Sequence, residues 1–155
     1  MHEVFYGCGR QVSDRLAESA LADEVEFLTA RARSVGTARA NAALRELDLK
    51  VRSYSVLALA ASGLNPTQRE LAGFLVLDAS QIVALVDELE ARKLVARTPD
   101  PADRRSNVIS ATKAGAELFA RAREVTRQAE AASLAALDAA EREQLTALLR
   151  RVAFE

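Results

Sequence analysis

Apolar positions recur at helical spacing along most of the chain. Leu21, Val25, Leu28, Ala32, Val35 and Ala42 form one such series and predict a long amphipathic helix over roughly residues 23–47. Residues up to about Leu16 carry little pattern and read as an arm. A second helix is predicted over residues 53–62, with Tyr54, Val56, Leu57 and Leu59 on its apolar face. Ser62-Gly63 ends it, and Asn65-Pro66 makes the following turn. Thr67-Gln-Arg-Glu70 has the form of a capping box, in which hydroxyl and carboxylate each satisfy the other residue's amide. Leu71, Ala72, Phe74 and Leu75 then give one apolar face to a short helix. Asp78 suits the N-cap of the next helix. There Ile82, Val83, Leu85, Val86 and Leu89 form the expected buried stripe, leaving Ser80, Gln81, Ala84, Asp87 and Glu88 more exposed. Two short helices joined in this way make a helix-turn-helix, whose second helix is the one that enters a DNA major groove.

The pattern then changes to two short strands, residues 95–98 and 107–111, joined by a turn holding Pro99 and Pro101. Proline fixes φ and pushes the residue before it toward extended backbone, so Thr98 and Asp100 resist helix. Asp103, Arg104 and Arg105 lie at or just beyond the tip. Thr112 caps a predicted helix running to about Leu134, with Leu118, Phe119, Ala122 and Val125 inward. Asp138-Ala-Ala-Glu141 is a second capping-box pattern and opens a last helix with Leu145, Leu148, Leu149 and Val152 on one face. The expected fold is mainly α with a small β-hairpin: a winged helix-turn-helix core flanked by long dimerisation helices. Three regions follow: an arm and dimerisation helix (1–47), a DNA-binding lobe (48–111) and carboxy-terminal dimerisation helices (112–155). The flanking helices carry more apolar surface than one small core can cover, which predicts a two-fold homodimer.

Composition narrows the class. The 155 residues are 50% hydrophobic and 28% charged, a globular balance. No apolar run approaches the ~20 residues that span a bilayer, and the amino terminus lacks a secretory pattern. A single cysteine forms no internal disulfide, so a reducing cytoplasm is the expected compartment and no membrane partner is expected. The net charge is −1, but its distribution is uneven. Between Arg92 and Lys113 six cations face two anions, whereas between Met1 and Glu26 six anions face two cations. A basic face on an acidic body suits a protein that meets double-stranded DNA on one side. Catalysis is disfavoured: the one histidine is His2, Asp87 and Glu88 point apart on a helix, and Gly7-Cys-Gly9 is too short for a phosphate loop. Neither a metal nor a cofactor is expected.

The order of elements, together with Thr67-Gln-Arg-Glu-Leu-Ala72, the run from Asp78 to Glu90, Leu94-Val-Ala-Arg97, Asp103-Arg-Arg105 and Ala111-Thr-Lys-Ala-Gly115, resembles the MarR family of bacterial transcription regulators. The resemblance covers roughly residues 23–152, and the Asp-x-Arg wing followed by Thr-x-x-Gly is its most discriminating part. It implies a homodimeric regulator, usually a repressor, on a pseudo-palindromic operator. It further implies a small aromatic or phenolic effector bound where the dimerisation helices meet the DNA-binding lobe. Carried over by position, Arg105 enters the minor groove, Asp103 orients it, and Arg97 lies near the phosphates. Arg104 accompanies them at the tip or is merely solvated. Thr67 and Gln68 are placed on the DNA side as well. Lys93 stands where the family often has glycine, so a different cap is expected at that helix end. Val83 and Ala84 stand where Thr and Arg are frequent, which leaves base reading to Ser80 and Gln81. The alternative role for Gln81 is capping behind Asp78.

Two other readings remain open. The fold could serve as a ligand- or protein-binding module without DNA recognition, favoured by the low polarity at Val83 and Ala84. Arg97 and Arg105 oppose it, as cations with no structural need at an exposed hairpin. Some family members sense peroxides through an amino-terminal cysteine, which makes Cys8 either a redox sensor or an inert thiol. No pocket residues can be nominated; Val35, Arg39 and Tyr54 are neighbours of the expected pocket or ordinary packing.

Overall fold

The computed structural model describes residues 15–101, 103 and 105–154. The chain divides into two compact units, Met1–Ala38 and Arg39–Glu155. In chain order the elements are α1 (Val25–Leu44), α2 (Val51–Ala60), α3 (Gln68–Leu75), α4 (Ala79–Ala91), β1 (Val95–Pro99), β2 (Asn107–Ala111), α5 (Lys113–Ser133) and α6 (Ala139–Phe154). The expected class, mainly α with one hairpin, is the observed one. Cys8 and Arg104, singled out above, lie outside the described residues.

The first two helices differ in extent from the sequence pattern. The expected span of residues 23–47 is an α-helix only over Val25–Leu44, with short 3₁₀ turns at Ala20–Asp23 and Arg45–Leu47. Asp48 stops it by turning left-handed at φ +50°. The next helix starts two residues earlier than predicted, because Asn41 Oδ1 accepts from the Val51 amide at 2.8 Å. That acceptor comes from outside the helix and satisfies one of the orphan donors of its first turn.

The core of the second unit is built by Val56 and Leu57 of α2, Leu71 of α3, Ile82, Val86 and Leu89 of α4, Ile109 of β2 and Ala122 of α5, all fully buried. Leu118, Phe119 and Val125 pack against it from α5, as the sequence predicts. The hairpin pairs antiparallel from Val95 with Ala111 to Pro99 with Asn107. Pro99 is therefore the last strand residue rather than part of the turn, an end position where a missing N–H is tolerated. The Asp100 amide closes the turn onto the Ser106 carbonyl at 2.9 Å. A bridge between Thr67 and Val108, and an Ile109 amide donating to the Pro66 carbonyl at 2.8 Å, tie the start of α3 to the wing.

Both helices of the pair end on left-handed residues that are not glycine. Lys93 takes φ +59°, its amide donates to the Glu90 carbonyl at 2.8 Å, and the Leu94 amide donates to the Leu89 carbonyl at 2.9 Å. These are the two bonds of a Schellman turn, so the helix is capped as a glycine would cap it and lysine bears the strain. Val76 takes φ +52° at the end of α3 and is 88% exposed. A β-branched side chain is poorly accommodated in that region.

The end of α4 also receives the start of α5. The Thr112 hydroxyl donates to the Lys93 carbonyl at 2.7 Å and accepts from the Gly115 amide at 3.0 Å, while the Thr112 amide donates to the Leu94 carbonyl at 3.0 Å. A Cβ on Gly115 would stand 1.9 Å from that same Leu94 oxygen. Backbone cannot yield as a flexible side chain would. Gly115→Ala is therefore expected to destabilise by about 3 kcal/mol in denaturant unfolding, at the upper end of overpacking costs. Lys93→Gly and Val76→Gly are expected to stabilise by about 0.5–1 kcal/mol each, the relieved strain exceeding the added freedom of the unfolded chain.

Candidate nucleic-acid interface

The start of α3 is held by a reciprocal capping box. The Thr67 amide and hydroxyl both donate to Glu70 Oε2, at 2.7 and 2.8 Å, and the Glu70 amide donates to Thr67 Oγ1 at 3.2 Å. Those bonds, the backbone one foremost, hold the Glu70 carboxyl below the ordinary carboxylate range. The structure thereby occupies the Thr67 hydroxyl that the sequence reading placed on DNA. Gln68 differs from that reading too. Its amide nitrogen is buried with no hydrogen-bond partner among the described residues, so it is not available at the surface as a donor.

On α4 the outward face holds Ala79, Ser80, Val83, Ala84, Asp87 and Glu88. Val83 was expected in the buried stripe but is 43% exposed, because it lies one position past Ile82 and rotates away from the core. Gln81 is half-buried, and its Oε1 accepts from the Asp78 amide at 3.3 Å. Gln81 thus caps α4 here, with its Oε1 engaged by that amide. Ser80 remains exposed.

Arg97 departs from the expectation that it has no structural need to be cationic. Its side chain is only 19% exposed and reaches from β1 to two carboxylates of α4, Asp87 at 2.5 Å and Glu90. Partial burial alone would lower its pKa, but the hydrogen bonds to Asp87 and Glu90 outweigh it and raise the value above that of free arginine. The Arg97 amide also donates to Glu90 Oε1 at 3.3 Å. This cation has a structural need after all: it fastens the wing to the recognition helix and spends its charge there.

At the wing tip, Asp103 Oδ1 accepts from the Arg105 amide at 3.0 Å, and the Asp103 carbonyl accepts from the Ser106 amide at 2.9 Å. Asp103 thus orients Arg105 through its backbone, as an Asx-type turn does. Arg105 itself is exposed, with no ion pair among the described residues. Away from this face, Tyr54 packs on Phe119 with ring centres 5.9 Å apart, and Arg39 donates to the Ala132 carbonyl at 3.0 Å. Both are structural contacts within the second unit.

Charge-assisted bonds to half-exposed carboxylates are worth less than buried ones, yet two converge on Arg97. Arg97→Gln is expected to lower unfolding stability by about 1–2 kcal/mol. A melt identical to that of the unmodified protein would reduce Arg97 to a surface cation.

A family model described as MarR family matches residues 47–106, the segment that contains the helix pair and the first strand of the wing. The chain is 39% identical to a crystallised MarR-family transcriptional regulator from Rhodococcus sp. RHA1, covering 88% of this chain and 97% of that one, with a TM-score of 0.83. It is 37% identical to CouR from Rhodococcus jostii RHA1, crystallised with p-coumaroyl-CoA, over 88% of this chain and 96% of that one, with a TM-score of 0.80. It is also 36% identical over 86 residues to the HTH-type transcriptional repressor NicR of Pseudomonas putida. That match covers 56% of this chain and about half, 54%, of the repressor's length. Helix pair, wing and near full-length likeness agree, and the chain belongs to the MarR family of transcriptional regulators.

Proposed function

We propose that this protein is a homodimeric, sequence-specific DNA-binding repressor that acts on a pseudo-palindromic operator in the cytoplasm. The observation that carries the reading is the wing tip: an exposed arginine whose backbone is held by Asp103, on a hairpin clamped to α4 by Arg97. An unpaired guanidinium so presented suits the narrow, electronegative minor groove of A·T-rich DNA, while the outward face of α4 with Ser80 lies in the adjacent major groove. Gln68 would face the phosphate backbone through its peptide amide, its side-chain nitrogen being buried, whereas Thr67, with amide and hydroxyl committed to Glu70, would hold that turn in place.

Dimerisation follows from unsatisfied apolar surface. Leu148, Leu149, Val152 and Phe154 of α6 are exposed, and so, in the amino-terminal unit, are Leu16, Leu21, Val25, Leu28 and Val35. Surfaces of this kind are covered in a stable protein by a second copy more often than by water. Two-fold symmetry would set the two α4 helices about one DNA turn apart, roughly 34 Å. The effector would be an aromatic or phenolic acid or its coenzyme A thioester, by analogy with the p-coumaroyl-CoA held by CouR. It would act only through its differential affinity for DNA-competent and DNA-incompetent dimers.

Arg105→Ala is expected to weaken operator binding at least tenfold and to lower the salt slope by about one phosphate-equivalent, with an unchanged melt. Gel-shift titrations at several salt concentrations measure both. Wild-type affinity in the variant would refute the wing's role.

A further inference from the structure

The first two turns of α4 present an unusual surface for a helix that reads DNA. Ala79, Ser80, Val83 and Ala84 face outward, and this stretch contains neither cation nor free amide. Gln81, the one long polar side chain there, is committed to the Asp78 amide. The charges begin only in the third turn, where Asp87 is paired with Arg97. Val83 stands at the centre of this face and is 43% exposed, although nothing in the fold requires an apolar side chain there.

Base edges in the major groove offer donors, acceptors and one apolar feature, the 5-methyl group of a pyrimidine. An isopropyl group flanked by alanine methyls has no hydrogen bond to give to the first two, but it can bury the third. We propose that Val83 is a specificity-determining residue that reads pyrimidine 5-methyl groups in the major groove. This inference rests on the DNA-binding reading above and gives it a chemical content: affinity comes from the wing and phosphates, and sequence preference comes from a methyl contact. Thymine is the ordinary source of that methyl group; 5-methylcytosine presents the same group at the same place.

The test begins with selection from randomised duplexes by the full-length protein. The selected duplex is then remade with deoxyuridine for each thymidine in turn, and separately with 5-methylcytosine for each cytosine. Burying one methyl group is worth roughly fourfold in affinity, so two symmetric half-sites should lose about fifteenfold when the contacted thymines lack it. In Val83→Ala that loss should shrink to under about twofold, with a melting temperature within a degree or two of the unmodified protein. If methylated cytosine raises affinity for the unmodified protein but not for Val83→Ala, while deoxyuridine is neutral, the methyl reading holds with 5-methylcytosine as its source. Indifference to both replacements, or a deoxyuridine loss that persists undiminished in Val83→Ala, overturns the assignment but leaves DNA binding intact. A selection that enriches no sequence overturns the DNA-binding reading and this one with it.

Discussion

The Leu94 carbonyl is the point on which the DNA-facing side of this protein is built. It lies one residue past the left-handed cap of α4, accepts from the amide and hydroxyl of Thr112, and abuts Gly115 where a Cβ would stand 1.9 Å away. Recognition helix, wing and α5 therefore converge on one peptide group with no room between them. Because α5 continues for 21 residues away from that junction, a displacement of α5 is transmitted to α4 and the wing rather than absorbed by a loop. Close-packed elements of this kind move as bodies.

The Arg97 clamp complements the junction from the other side. Leu94 fixes where the wing begins, and Arg97, two residues into β1, fixes how it leans on α4 through Asp87 and Glu90. The bridge between Thr67 and Val108 supplies a third tether, from the capping box of α3 to the far strand. With three attachments the hairpin is an extension of the helix pair, and the exposed Arg105 is aimed by the fold. Left-handed Lys93 and Val76 are local costs within the same device, small beside the burial of Leu71, Ile82, Val86 and Leu89.

Much of this was legible before the fold was known. Capping boxes at Thr67 and Asp138 form where the spacing predicts them, because both partners lie within one turn and need no tertiary help. The strands begin and end within one residue of expectation, and Thr112 caps its helix. The side-chain roles were less legible. Arg97 reads as a free cation in sequence, since its partners are seven and ten residues away on another element. Gln68 and Gln81 look like DNA-facing amides until burial and a backbone donor claim them. Val83 looks like core by composition, yet a shift of one helical position carries its side chain about 100° around the axis.

The sequence by itself determined the order of elements, their caps and the class of regulator, because those follow from periodicities and short-range bonds that the chain carries locally. Only the tertiary structure decided which charges are free. That outcome depends on which distant groups come within hydrogen-bonding range: Arg97 is neutralised by α4, while Arg105 is left exposed by the turn that holds it. It also decided that the outward face of the recognition helix is apolar at its centre, a property of rotation about the helix axis that packing against Leu71, Val56 and Ile109 sets.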